Sequence, residues 1–156
     1  MTHTFNSPIG IVRLTEADGS IIRIELTDAA DAVHTASTPL LHEATLQILS
    51  FLEGKRQQLD FPIHMVGTPF QQRVWRALQQ IPYGTTRTYG EIAAAIGNPR
   101  ASRAVGMACN KNPLLLIVPC HRVVGVNGKL VGFAYGTDTK RQLLLLERES
   151  FSRSGL

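Results

Sequence analysis

No run of about 18 apolar residues occurs in this chain, so no segment of it reads as a membrane-spanning helix. The first ten residues, MTHTFNSPIG, lack the charged segment and apolar core of a secretion signal. Cysteine is scarce: Cys109 and Cys120 are the only two among 156 residues, too few for a disulfide framework. A cytoplasmic protein with reduced thiols is therefore expected. His3, His34, His42 and His64 are scattered without metal-ligand spacing to either cysteine, so no zinc or other metal is expected. Gly125, Gly128, Gly132 and Gly136 match neither a phosphate loop nor a dinucleotide fingerprint, and no cofactor is expected. Repeats and low-complexity tracts are also missing.

What is present is an ordinary globular composition, 44% hydrophobic and 18% charged, with charge divided unevenly along the chain. Residues 1–66 carry four basic against eight acidic side chains, a net charge of −4. Residues 67–156 carry twelve against four, a net charge of +8. The second part thus has the electrostatics of a surface that meets a polyanion, although a merely basic surface would look the same.

Local patterns divide the chain at the same place, around Gly67-Thr68-Pro69, into parts spanning 1–66 and 67–156. In the first, Ile9, Ile11 and Leu14, the turn Ala17-Asp18-Gly19-Ser20, then Ile22, Ile24 and Leu26 predict a β-hairpin. Residues 27–38 are small and polar and read as loop. Pro39 opens a helix with Leu41, Ala44, Leu46, Ile48, Leu49 and Leu52 at three- and four-residue spacing and Gly54 as its stop. Leu59 to Met65 reads as extended. In the second part, Thr68 caps a helix to about Gln80, and Pro82-Tyr83-Gly84 is a turn. Thr88 and Glu91 form a capping box for a helix to Ile96. Gly97-Asn98-Pro99 interrupts the chain, Arg100 to Cys109 is helical, and Leu114 to Val118 is irregular or extended. Val123 to Phe133 is a loop or hairpin around Asn127-Gly128, and a last helix runs from about Thr137 to Glu149, burying Leu143, Leu144 and Leu146.

Two features could carry chemistry. Tyr89 to Cys109 has the pattern of a helix-turn-helix, with Arg100 and Arg103 set among Ala101, Ser102, Ala104, Gly106 and Ala108. Small side chains let such a helix approach DNA closely, but an ordinary helical hairpin in a core would read alike. Cys120 lies between Pro119 and the pair His121-Arg122. A cysteine is nucleophilic only as thiolate, which needs positive charge or a base nearby, and these two neighbours are local candidates. Adjacent residues tend to point different ways, and a lone cysteine is often just a small buried hydrophobe. Glu147, in an apolar helix, invites no comment by itself.

The string Ile117-Val118-Pro119-Cys120-His121-Arg122-Val123-Val124-Gly125 resembles the active-site signature of the O6-alkylguanine-DNA alkyltransferases. Gly67 to Gln71, Val74-Trp75, Ile81 to Gly84, Thr88-Tyr89, Gly97 to Pro99, Arg103 to Gly106, Asn112-Pro113 and Lys140 to Glu147 follow that family's order and spacing. The resemblance is strong over 67–149 and fainter before it. It implies an α+β fold, with an N-terminal ribonuclease-H-like α/β domain (1–66) and a mainly helical domain with a helix-turn-helix (67–156).

It also implies direct, single-use repair of DNA. The recognition helix, with Arg100, Ala101, Ser102, Arg103, Ala104 and Gly106, enters the minor groove of double-stranded DNA containing alkylated guanine, and the base is turned out into a pocket. Arg103 fills the gap, and Tyr89 presses on the 3′ phosphate and can protonate guanine N3. Cys120 is the nucleophile, His121 takes its proton through a water, and Glu147 orients His121. Asn112 ties the turn after the helix to the active-site segment. The carbonyls of Cys120 and Val123 accept from the guanine amino group, and the Ala134 N–H donates to O6. The protein is implied to act as a monomer, with cooperative binding along DNA left open. O4-alkylthymine is a second implied substrate. Two positions depart from the family pattern: Phe133 replaces a common Tyr, and Tyr135 stands where many members have Gly, which should narrow the pocket mouth. Some members' N-terminal zinc ligands are absent. The rival reading is a non-catalytic protein that binds alkylated bases and flags them, against which Cys120 itself argues.

Overall fold

The computed structural model describes residues 1–28 and 38–154. The expected loop at 27–38 falls almost wholly outside them. The elements in order are β1 (Thr2–Ser7), β2 (Gly10–Ala17), β3 (Ser20–Thr27), α1 (Pro39–Leu52), α2 (Pro69–Gln79), β4 (Arg87–Thr88), α3 (Tyr89–Ala95), α4 (Ser102–Asn110), β5 (Val123–Val124) and α5 (Thr137–Ser154), with short 3-10 turns at Cys120–Arg122 and Val126–Gly128. The fold is mixed α+β: a small antiparallel sheet followed by helices. The chain divides into two compact units, Met1–Val66 with Pro113–Leu115, and Gly67–Asn112 with Leu116–Leu156.

In the first unit β2 lies between β1 and β3, all antiparallel. Asp18 and Gly19 both adopt positive φ, 51° and 78°, the geometry of a two-residue turn whose twist matches the strands it joins. β1 was not anticipated, because Thr2–Ser7 is an edge strand with little apolar alternation to reveal it. A register shift at Thr15/Glu16 alters the expected face of β3: Ile21 and Ile24 are buried, rather than Ile22 and Ile24. Thr38 caps α1 by accepting from the Leu41 N–H at 3.0 Å, and Leu41, Ala44, Ile48, Phe51 and Leu52 of α1 are buried, while Leu46 faces solvent. Gln47 is the polar side chain buried in this helix; it is satisfied by Glu43 at 3.0 Å and the Asp60 N–H at 2.9 Å. Two short parallel bridges add to β3, Ile21 with Ile63 and Ile24 with Leu114.

The second unit is built around capped helices. Thr68 and Gln71 form a reciprocal capping box on α2, and Thr88 and Glu91 form another on α3. The buried indole of Trp75 in α2 donates to the Ala108 carbonyl of α4 at 2.9 Å, fixing those two helices together. A Cβ on Gly67 would stand 2.5 Å from that indole, so only glycine fits there. α4 begins at Ser102, not Arg100: Arg100 lies in the preceding turn and Ala101 is the N-cap residue. Ala101 has no side-chain oxygen, so this helix start lacks the side-chain cap that α1, α2 and α3 have. α5 runs past the expected end at Glu149 to Ser154. Its buried face carries Leu143, as expected, but also Lys140, Glu147 and Ser150; Leu144 and Leu146 are only half-buried.

Candidate active site

Asn112 and Cys120 bracket a reversal of the chain. The Asn112 side-chain amide donates to the Val118 carbonyl at 2.7 Å, and the Cys120 N–H returns to the same carbonyl at 2.8 Å. Leu116 is held at φ 74° within this reversal, a conformation that bulky residues rarely adopt. Cys120, His121 and Arg122 then form a single 3-10 turn that leads into β5, and β5 pairs in parallel with β4, the strand immediately before α3. The signature turn and the N-terminus of the helix-turn-helix are thereby tied together.

All three residues of that turn are buried, and two of them converge on Glu147 of α5. His121 Nε2 lies 2.5 Å from Glu147 Oε2. The Arg122 guanidinium grips both carboxylate oxygens, Nε to Oε1 at 2.7 Å and Nη2 to Oε2 at 3.0 Å, and its third nitrogen donates to the Ile81 carbonyl at 2.9 Å. The Gly84 N–H reaches Oε1 at 3.4 Å. Burial alone would raise the Glu147 carboxyl, but the bonds and charges of His121 and Arg122 outweigh it and hold it at about 2. An ionised carboxylate only accepts, so His121 carries its proton on Nε2. Burial, reinforced by the cations Arg122 and Lys140 against the opposing pull of Glu147, lowers the pKa of His121. The neutral ring therefore keeps Nδ1 free as a base, and Nδ1 is buried without a hydrogen-bond partner among the described residues.

The sulfur of Cys120 is buried too, 3.4 Å from the Cys109 carbonyl oxygen. Burial pushes this thiol well above its usual range; the hydrogen bond with Cys109 adds to the rise, while Asn112 and Lys140 pull against it. Cys120 thus rests as a thiol. Lys140 was not anticipated as a site residue. It is fully buried, its ammonium donates to the Val131 carbonyl at 2.9 Å, and it lies 5.7 Å from the Tyr89 ring centre. Its signal was present, since Lys140 sits on the stripe that Leu143, Glu147 and Ser150 bury. The Tyr89 hydroxyl donates to the same Val131 carbonyl at 3.0 Å. Gly132, at φ 66°, follows directly, and a Cβ there would meet the Tyr89 hydroxyl at 3.2 Å. Burial raises the Tyr89 phenol to about 12.

A cavity of about 460 Å³ opens beside these groups, lined by Tyr89, Ser102, Arg103, Gly106, Met107, Asn110, Val131 and Gly132. It gathers four residues expected from the sequence to meet DNA: Tyr89, Ser102, Arg103 and Gly106. Met107, Asn110, Val131 and Gly132 were not anticipated. Val123, Phe133, Ala134 and Tyr135 do not line it; Val123 is buried in β5, Ala134 is exposed, and the Phe133 and Tyr135 rings meet edge to face at 5.8 Å. Among the described residues no group of three or more His, Cys, Asp or Glu could hold a metal ion, and no helix is long and apolar enough to cross a membrane.

Comparison with known proteins covers this half of the chain and most of the other. Residues 69–149 match the family described as 6-O-methylguanine DNA methyltransferase, DNA binding domain. A methylated-DNA–protein-cysteine methyltransferase of Methanosarcina acetivorans is 45% identical over 148 residues, covering 92% of this chain and 95% of that protein. The constitutive enzyme of the same name from Bacillus subtilis is 43% identical over 157 residues, 95% of each chain. The crystal structure of Mycobacterium tuberculosis OGT in complex with DNA superposes with a TM-score of 0.87 at 42% identity, covering 96% of this chain and 93% of that one.

Proposed function

The chain belongs to the 6-O-methylguanine DNA methyltransferase family and is a DNA-repair enzyme with methylated-DNA–protein-cysteine methyltransferase activity, and from that premise we propose how its residues divide the work. Cys120 takes the alkyl group, chiefly methyl, from O6 of guanine in duplex DNA, and O4-alkylthymine is a second candidate substrate. The recognition helix α4 enters the minor groove, the damaged base leaves the stack, and Arg103 occupies the gap. Arg103 is exposed at the rim of the cavity, which suits that task. Arg100, in the turn before α4, is placed for phosphate contact, and Ala101, Ser102, Ala104 and Gly106 keep the helix surface low.

The Cys120 proton passes through a water to Nδ1 of His121, and the resulting imidazolium is held by Glu147. The thiolate attacks the alkyl carbon in line, a C–S bond forms, and the C–O6 bond breaks. Tyr89 supplies a proton at guanine N3; with its pKa at about 12 the phenol stays protonated at neutral pH. For this it must release the Val131 carbonyl. Asn112 fixes Cys120 through Val118, the carbonyls of Cys120 and Val123 accept from the guanine amino group, and the Ala134 N–H donates to O6. The thioether is not hydrolysed, so each molecule acts once, as a monomer. The observation that carries this reading is the Glu147 carboxylate divided between His121 and Arg122 beside a buried Cys120.

Intact mass after incubation with an oligonucleotide containing O6-methylguanine tests it. One added methylene is expected, absent in Cys120→Ser and kept in Cys109→Ser. Binding with no mass change would instead make the protein a flag for lesions. Tyr135, where many members of the family have glycine, is assigned to narrowing the pocket mouth, so free benzylated guanine reacts poorly. Rapid labelling of Cys120 by that base would overturn the assignment.

A further inference from the structure

The transfer described above gives Cys109 no task, yet it is buried against the nucleophile. It sits at the end of α4, 4% exposed, and its carbonyl oxygen lies 3.4 Å from the Cys120 sulfur. Cys120 donates its S–H to that carbonyl, and the neighbouring Cys120 thiol holds the Cys109 thiol below its usual range, against the opposing effect of burial. Lys140 places a cation beside the pair. Two thiols in contact next to an ammonium are the surroundings in which one sulfur can attack the other once either is oxidised.

We propose that Cys109 is the resolving thiol of Cys120, so that a peroxide converts the pair into a reversible disulfide instead of destroying the nucleophile. In the first step the Cys120 sulfur attacks one peroxide oxygen, the O–O bond breaks, and Cys120 becomes a sulfenic acid while the peroxide leaves as water or alcohol. In the second the Cys109 thiolate attacks that sulfur, the S–O bond breaks, and hydroxide leaves with a proton as water. Two thiols are oxidised by two electrons and one peroxide is reduced. Without a second thiol, a sulfenic acid proceeds to sulfinic and sulfonic acids that thiols do not reverse. A reagent used once loses most from such damage. Peroxide is also smaller than any base that reaches the same sulfur.

The proposal rests on Cys120 being the alkyl acceptor only for its consequence, not for its chemistry. The experiment treats the full-length protein with a several-fold molar excess of hydrogen peroxide in the absence of thiols and reads intact mass, tryptic peptides and methyl transfer. Wild type is expected to lose two hydrogens and to join peptides 104–111 and 112–122 through Cys109 and Cys120. Methyl transfer disappears and dithiothreitol restores it in full. Cys109→Ser and Cys109→Ala, which transfer normally when reduced, are expected to gain two or three oxygens on Cys120 and to stay inactive after dithiothreitol. Oxygen addition to wild type without the joined peptides overturns the proposal, and so does equal recovery in wild type and both variants. If reduced wild type transfers no methyl group, the acceptor role of Cys120 fails separately, while the mass and peptide results still decide the disulfide.

Discussion

The two units bury different kinds of side chain. In the first, the centre is Val12, Leu14, Ile21, Ile24, Leu41, Ala44, Ile48 and Phe51, with Gln47 satisfied among them. In the second, His121, Arg122, Lys140, Glu147 and Ser150 are buried alongside Val74, Trp75, Leu78 and Leu143. Apolar burial stabilises by roughly 25 cal/mol per Å² and asks little of geometry. Buried charges stabilise only when every partner is in place, and an apolar replacement of the whole set is often no worse. The first unit is therefore built as a scaffold, and the second keeps an arrangement that stability alone would not select.

The comparison is sharpened most by removing one partner from the polar set. Arg122→Met leaves the Glu147 carboxylate buried with only His121 and a weak backbone contact, and is expected to cost about 3–5 kcal/mol in urea unfolding. Ile48→Ala in the first unit should cost about 2–5 kcal/mol by cavity formation while leaving methyl transfer by the folded protein unchanged. A loss below about 1 kcal/mol for Arg122→Met would break the contrast.

Next in size is Arg103→Ala. If the second unit spends an exposed cation on holding a base out of the stack, duplex repair should slow by on the order of a hundredfold, the equivalent of a few kcal/mol of unstacking. Reaction with a free alkylated base should barely change, and equal losses on both substrates would remove the assigned role.

Acid should then act on the second unit. His121 resists protonation in the fold but accepts a proton in the unfolded chain near 6.5, so its share of stability is present above that pH and is lost as pH falls through it. Glu147, ionised in the fold down to about 2 and protonated when unfolded near 4.5, adds a further loss below 4.5. Each proton contributes at most about 1.4 kcal/mol per pH unit. Urea midpoints between pH 8 and pH 5 should fall for wild type and fall less for His121→Gln; parallel curves would show that His121 is not the group responsible.

The smallest effect should not distinguish the units at all. Thr38→Ala and Thr88→Ala each remove an N-cap oxygen, and each should lower stability by about 1 kcal/mol in thermal unfolding. A large difference between them would mean that one cap depends on more than its own helix.

Interactions that close within a few residues are legible in the amino-acid sequence. Thr68 and Thr88, the Asp18-Gly19 turn and the starts of α1, α2 and α3 were legible because each is an interaction between residues two to four positions apart, whereas the Thr38 cap of α1 went unread. β1 was not legible, since its partner β2 supplies the pairing and its own residues are mostly polar. The exchange of Ile22 for Ile21 followed from a bulge in β3 itself, where Ile22 is the extra residue in the pairing with β2. Arg122 was read as a cation for Cys120, but its guanidinium turns to a carboxylate 25 residues away.

Alone, the amino-acid sequence determined the caps of α2 and α3, the hairpin turn, the opposed charges of the two parts and, through its resemblance to a family, the choice of Cys120 as the sulfur proposed to react. Tertiary structure alone decided that Glu147 is shared by His121 and Arg122, that Lys140 is buried beside the site, and that Cys109 touches Cys120. The reason is distance along the chain: caps and turns close within a few residues, whereas these contacts need α4, the Cys120 turn and α5 already packed together.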